Sequence, residues 1–116
     1  MTLMAERIPR LAACRDKVKD IEKAEDRLIT ALKLYEAGQR AFAGARIGAA
    51  MTSLALAKAK GLLTSEEWKD FAGRLARLRD QILDEAIPPS EAEKEVRRLE
   101  RDLLTKYLTE FERCLI

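Results

Sequence analysis

The residues that could carry chemistry in this chain are its two cysteines, its carboxylates and its bases. The 116-residue sequence contains no His, and His is the commonest general base and the commonest metal ligand. Catalytic triads that use His, and the Glu-x-x-His motif of di-metal helical bundles, are therefore excluded. Two thiols without His also leave a tetrahedral metal site incomplete. We expect no enzymatic activity, no cofactor, no metal and no small-molecule substrate.

A basic segment, residues 37–65, is the strongest candidate for ligand binding. It contains no Asp or Glu, yet it carries the four bases Arg40, Arg46, Lys58 and Lys60. Positive charge beside small side chains lets a chain approach a phosphate backbone closely. The alternative interpretation is structural, because cations near a helix C terminus also complement the helix dipole. At helical spacing the four bases fall on two azimuths rather than on one stripe.

The composition and the apolar spacing both predict helices. Ala, Leu, Glu, Lys and Arg make up about three fifths of the sequence, which is typical of long helices and coiled coils. From Leu11 to Tyr35 apolar residues recur at alternating spacings of three and four, which predicts one long first helix. Glu25 is the exception in this seam, and we interpret it as a register-setting polar residue rather than a catalytic one. Gly38 is the predicted end of the helix.

Three further helices are predicted after the first. The second, about residues 39–60, is uncharged over residues 47–57 and is expected to end at Gly61. The third begins at the capping box Thr64–Glu67, and the last begins at the capping box Ser90–Glu93. Apolar and polar residues never alternate over a strand-length stretch, so no strand is predicted.

The links between the predicted helices are short, and short links force consecutive helices to run antiparallel. We therefore predict an all-α, up-down-up-down four-helix bundle of residues 14–116, with a long first helix. Residues 1–13 are predicted to form a projecting N-terminal arm. In such a bundle Cys14 and Cys114 lie at about the same height, so a disulfide could join them. The alternative is that both are small apolar core residues.

Two surfaces of this predicted bundle are candidates for contact with a partner. The candidate residues are Leu3, Met4, Ile8 and Leu11 in the arm and Gly44 and Gly48 in the second helix. Small residues let another backbone come close, and a helix that is apolar all round belongs inside a bundle or an oligomer interface. The sequence therefore predicts a non-catalytic assembly subunit that forms a homo-oligomer or binds a partner protein through helix–helix contacts.

The alternative function is a nucleic-acid-coating subunit, such as a virion nucleoprotein or the small helical subunit of a CRISPR effector complex. The four bases would then hold DNA or RNA. No apolar run approaches the roughly 20 residues of a membrane span, and early charges interrupt any signal-peptide pattern. We expect no membrane partner and a cytoplasmic or virion location. The absence of Asn and the presence of only two Gln indicate a hyperthermophilic, archaeal source.

Overall fold

The computed structural model describes residues 2–116, with side chains described from residue 8 onward. Within that range the fold is all-α, which confirms the predicted fold class, and it contains five helices and no strand. The helices are α1 (Thr2–Lys17), α2 (Lys19–Glu36), α3 (Arg40–Ala59), α4 (Ser65–Leu83) and α5 (Pro89–Leu115). None of these helices combines the length and the apolar character that crossing a membrane requires.

The predicted long first helix is divided at Val18, whose φ of −97° and ψ of 5° separate α1 from α2. The Val18 N–H donates to the Cys14 carbonyl at 3.3 Å, and the Val18 carbonyl accepts from the Ile21 N–H at 3.1 Å. The helical path therefore resumes after one residue. Cys14, Val18 and Ile21 are all buried, so the apolar spacing runs unbroken through the division. Spacing alone could not have located it.

The ends of α2 and α3 are set by two glycines. Gly38 has φ +79° and Gly61 has φ +80°, the left-handed conformation that costs glycine least. The start of α4 is set by a capping box, in which Thr64 Oγ1 accepts from the Glu67 N–H at 3.1 Å. The Glu67 carboxylate accepts in return from the Thr64 N–H at 2.9 Å. All three signals lie where the sequence placed them.

The capping box predicted for the last helix does not form. α5 begins at Pro89, and Pro88 occupies the N-cap position without a side-chain hydrogen bond. Proline suits the first helical position because its φ is already helical and its missing N–H has no intrahelical partner to lose. Ser90 is consequently inside the first turn and cannot cap it.

The core is centred on α2, which packs against α3 and against α5, while α4 packs against α3. Alanines allow α2 and α3 to approach closely. Those that are fully buried are Ala24 and Ala31 in α2 and Ala43, Ala50 and Ala57 in α3. Larger side chains fill the remaining space, among them Leu28, Leu54, Leu75 and Leu99, each with no exposed surface. Each such burial contributes about 1.5–3 kcal/mol against leaving the side chain in water.

Candidate functional site

The outward side of α3 is apolar along its length. Phe42 is 66% exposed and Leu56 is 52% exposed, and at helical rise they lie about 21 Å apart on one side of the helix. The residues between them on this side are small. We define the α3 face as Phe42, Ala45, Ala49, Thr52 and Leu56. An aromatic side chain held in water beside other apolar surface is characteristic of an interaction site.

The two glycines predicted as contact residues have different surroundings. Gly44 is buried, and a Cβ built on it would lie 2.7 Å from Leu83 Cδ2 of α4. Its missing side chain therefore admits α4 within the chain, so Gly44 does not belong to the α3 face. Gly48 is half-exposed, and a Cβ built there would meet nothing within 4 Å.

The four bases of the predicted phosphate site are not brought together. Arg40 Nη1 lies 3.1 Å from a carboxylate oxygen of Glu85. Lys60 Nζ lies 2.7 Å from Asp20 Oδ2. Arg46 and Lys58 are exposed and form no ion pair within the part of the chain whose side chains are described. Twelve residues separate them, which places them about 120° apart around α3. They point to different sides of the helix.

The two cysteines are joined by a disulfide, with their Cα atoms 5.7 Å apart. The bond connects α1 to the C-terminal end of α5, and Cys14 is buried. Beyond it, Ile8 is 64% exposed and Leu11 is also exposed. The candidate contact residues Leu3 and Met4 lie outside the residues whose side chains are described. The division into an arm and a bundle stays a prediction.

Carboxylates gather in a cavity of about 230 Å³ between α2 and α5. The residues that line this cavity, which we call the acidic groove, are Glu22, Glu25, Asp26, Leu104 and Tyr107. Burial raises the pKa of Glu25, and the charges of Glu100, Asp26 and Glu22 raise it further. Among the described residues these carboxylates form no group that could hold a metal ion. The groove therefore gathers three carboxylates beside apolar surface, and one of them, Glu22, lies 3.7 Å from the guanidinium of Arg15.

Sequence reasoning does not find this groove, because Leu104 and Leu108 belong to a wide apolar stripe of the last helix, and such a stripe by itself predicts burial. Leu104 is 44% exposed and Leu108 is 51% exposed, whereas Leu99 and Leu103 are fully buried. The last helix is apolar on too wide an arc for a single partner to cover. A usable signal was present in α2, where Glu22 is followed by acids three and four residues later, on one side of the helix.

Comparison of the chain with protein families, with curated proteins and with solved structures finds no match.

Proposed function

We propose that this chain is a non-catalytic assembly subunit that acts through helix–helix contacts with copies of itself or with a partner protein. The observation that carries the proposal is the α3 face, with Phe42 and Leu56 both more than half exposed. Moving two such side chains out of water supplies about 25 cal/mol for each Å² of apolar surface buried. A partner that covers the whole face removes both from solvent at once.

The shape of the α3 face favours a helix as the partner. Ala45 and Ala49 form a shallow depression between the large side chains at the two ends, so the ridge of a second helix can enter it. No carboxylate lies within residues 37–65, and the exposed Arg46 stands beside the face. A helix with an apolar stripe and acidic flanks is complementary to this surface in both shape and charge.

The proposed body of the subunit is an up-down-up-down four-helix bundle in which α1 and α2 together make the long first element. Its support is the sequence of contacts, since α2 packs against α3, α3 against α4, and both α2 and α4 against α5. The links are also short, three residues between α2 and α3 and five between α3 and α4 and between α4 and α5. This arrangement leaves the outward side of α3 uncovered.

The test is the mass of the chain in solution, measured by sedimentation over a range of concentrations. We expect a multimer for the native chain and a smaller mass for the double variant Phe42→Gln, Leu56→Gln. The matched control is Ile116→Gln, which removes an exposed apolar side chain elsewhere and should leave the mass unchanged. A native chain that sediments as a monomer at every concentration would contradict self-assembly. Equal masses for the native chain and the double variant would show that the α3 face is not part of the assembly interface.

The second candidate function is nucleic-acid coating, and the observation that favours it is the exposed, unengaged state of Arg46 and Lys58 within the described side chains. Two of the four bases are already held by carboxylates of the same chain, which weakens this candidate. If coating occurs, affinity for duplex DNA should fall with salt at a slope of about −0.9 per phosphate contacted. The absence of binding at low salt would discard it.

A further inference from the structure

A second surface of the molecule has a pattern that fits a second copy of the same chain. Residues seven apart lie along one line of a helix in a coiled coil, and positions 8, 15, 22 and 29 are such a set. We call Ile8, Arg15, Glu22 and Ile29 the heptad line. Val18 keeps the helical path between α1 and α2 through hydrogen bonds on both of its sides, so the line crosses both helices.

The heptad line is available for contact. Ile8 is 64% exposed, the side chains of Arg15 and Glu22 are 71% and 39% exposed, and Ile29 is half-exposed. Arg15 Nη2 lies 3.7 Å from Glu22 Oε1 within the chain. A pair as exposed as this one contributes little to stability, so both side chains can exchange partners at small cost.

The order of the four residues is self-complementary when two copies run antiparallel. Ile8 of one copy is then level with Ile29 of the other, and Arg15 is level with Glu22. The same two contacts are repeated on the other side of a two-fold axis that passes near Val18. Apolar residues therefore meet apolar residues at the outer positions, while opposite charges meet at the inner ones. Each contact occurs twice, as in any two-fold interface between identical subunits.

We propose that two copies of this chain pair antiparallel along the heptad line, with α1 of each copy lying along α2 of the other. The proposal rests on the self-assembly proposed above, but it uses a surface separate from the α3 face. The partner is a second copy rather than the same chain's own α1. Only Val18 separates α1 from α2, and the Cys14–Cys114 bond fixes the base of α1 to α5. One chain cannot fold α1 back onto its own α2.

The acidic groove lies where the partner's α1 would rest. In the antiparallel alignment Leu11 is level with Asp26 of the other copy, which lines the groove together with Leu104 and Tyr107. The exposed Leu11 and the exposed Leu104 would be covered together. The partner's Arg15 would also bring positive charge to the end of a groove lined by three carboxylates. Burying charges of opposite sign in contact favours this partner and this register.

The test is a charge exchange made in the chain that already carries Phe42→Gln and Leu56→Gln, so that the α3 face no longer contributes. In a homodimer, Arg15→Glu alone places acidic side chains at positions 15 and 22 of both copies, so four negative charges repel one another. Glu22→Arg alone places four positive charges at the same positions. We expect each to raise the dimer dissociation constant at least about tenfold, as measured by sedimentation equilibrium. An equimolar mixture of the two variants should recover the dimer, because each copy then supplies the charge that the other lacks.

Both positions are exposed, so the variants should retain the helical circular dichroism of the parent chain. Lys94→Glu is the matched control, since it reverses an exposed, paired charge on α5 and should leave dimerisation unchanged. A parent chain that is monomeric, or a mixture that stays dissociated, would overturn pairing along the heptad line. If the α3 variants lower the mass of the native chain while the charge variants do not, the assembly proposal stands and this inference fails.

Discussion

Lys106 lies at the contact between α4 and α5 and pairs with one carboxylate from each helix. Its Nζ lies 2.8 Å from Glu67 Oε2 and 3.0 Å from Glu110 Oε1. Burial by itself would lower the pKa of Lys106, but hydrogen bonds to the two carboxylates outweigh it and raise the pKa. Burial would likewise raise the pKa of Glu67, and hydrogen bonds from Lys106 and from the Thr64 backbone hold it below its usual value. The Lys106 ammonium group is thus one ionic link between the two helices, and the Arg74 guanidinium, which lies 2.8 Å from Asp102 Oδ2, is another.

Replacing Lys106 with Met should destabilise the fold by about 1–3 kcal/mol, because the buried Glu110 carboxylate loses a hydrogen-bonding partner. The side chain of Glu110 is only 6% exposed, and among the described side chains Arg113 would remain as its only cationic partner. The measurement is the free energy of unfolding in urea at neutral pH. Lys94→Met, which breaks an exposed pair with Glu91, should change it by less than about 0.5 kcal/mol. Equal losses in the two variants would mean that burial of this cluster has no energetic importance.

At the scale of the helices, local signals explain what could be read from the sequence. The signals at Gly38, Gly61 and the Thr64 capping box each act within a few residues. The helix ends that they set can therefore be predicted without knowing the fold. The boundary between α1 and α2 at Val18 could not be predicted from the sequence, because the apolar spacing continues across it. Ser90 was misassigned because two local signals competed, and the helical preference of Pro89 for the first turn prevailed over the serine cap.

The candidate surfaces were predicted less completely than the helices, since they depend on contacts between distant residues. Nothing local indicates that Arg40 meets Glu85 or that Lys60 meets Asp20. The exposure of Leu104 likewise depends on where α2 and α5 meet. The heptad line escaped notice because two of its four positions are charged, so it does not register as an apolar stripe. The self-complementary order of its residues can be recognised only when the chain is aligned with an antiparallel copy.

The two glycines of α3 allow a matched test of helix packing. Gly48→Ala should raise the free energy of unfolding by about 0.5–1 kcal/mol, since alanine is the better helix former and open space surrounds the site. Gly44→Ala has the same gain in helix propensity, but its Cβ would force the Leu83 side chain to move. We expect Gly44→Ala to be the less stable of the two variants. Equal unfolding midpoints in urea for the two variants would show that Leu83 of α4 can move away from the new Cβ without an energetic cost.

At the scale of the whole molecule, the disulfide connects elements that share few other contacts. The molecule is elongated, with extents of 56 × 28 × 19 Å, and α1 packs on α5 far less extensively than α2 packs on α3. The Cys14–Cys114 bond closes a loop with a sequence separation of 100 residues. A crosslink of this span acts mainly by limiting the freedom of the unfolded chain.

Reduction of this disulfide should lower the free energy of unfolding by about 4–5 kcal/mol in the chain-entropy account. The measurement is thermal unfolding followed by circular dichroism, with and without reductant. The double variant Cys14→Ala, Cys114→Ala is the control, and reductant should leave its melting temperature unchanged because it has no disulfide to lose. A native chain that melts at the same temperature with and without reductant would show that breaking the disulfide does not increase the conformational entropy of the unfolded chain.

The same bond has a consequence for the integrity of the polypeptide. Between residues 14 and 114 the covalent structure is a ring, and the segment after α4, residues 84–86, lies exposed on its outside. A protease that cuts once in that segment would open the ring without releasing a fragment. The nicked molecule would migrate as one species on a denaturing gel without thiol and as two with it. A single cut between residues 14 and 114 would therefore leave every helix tethered to the rest.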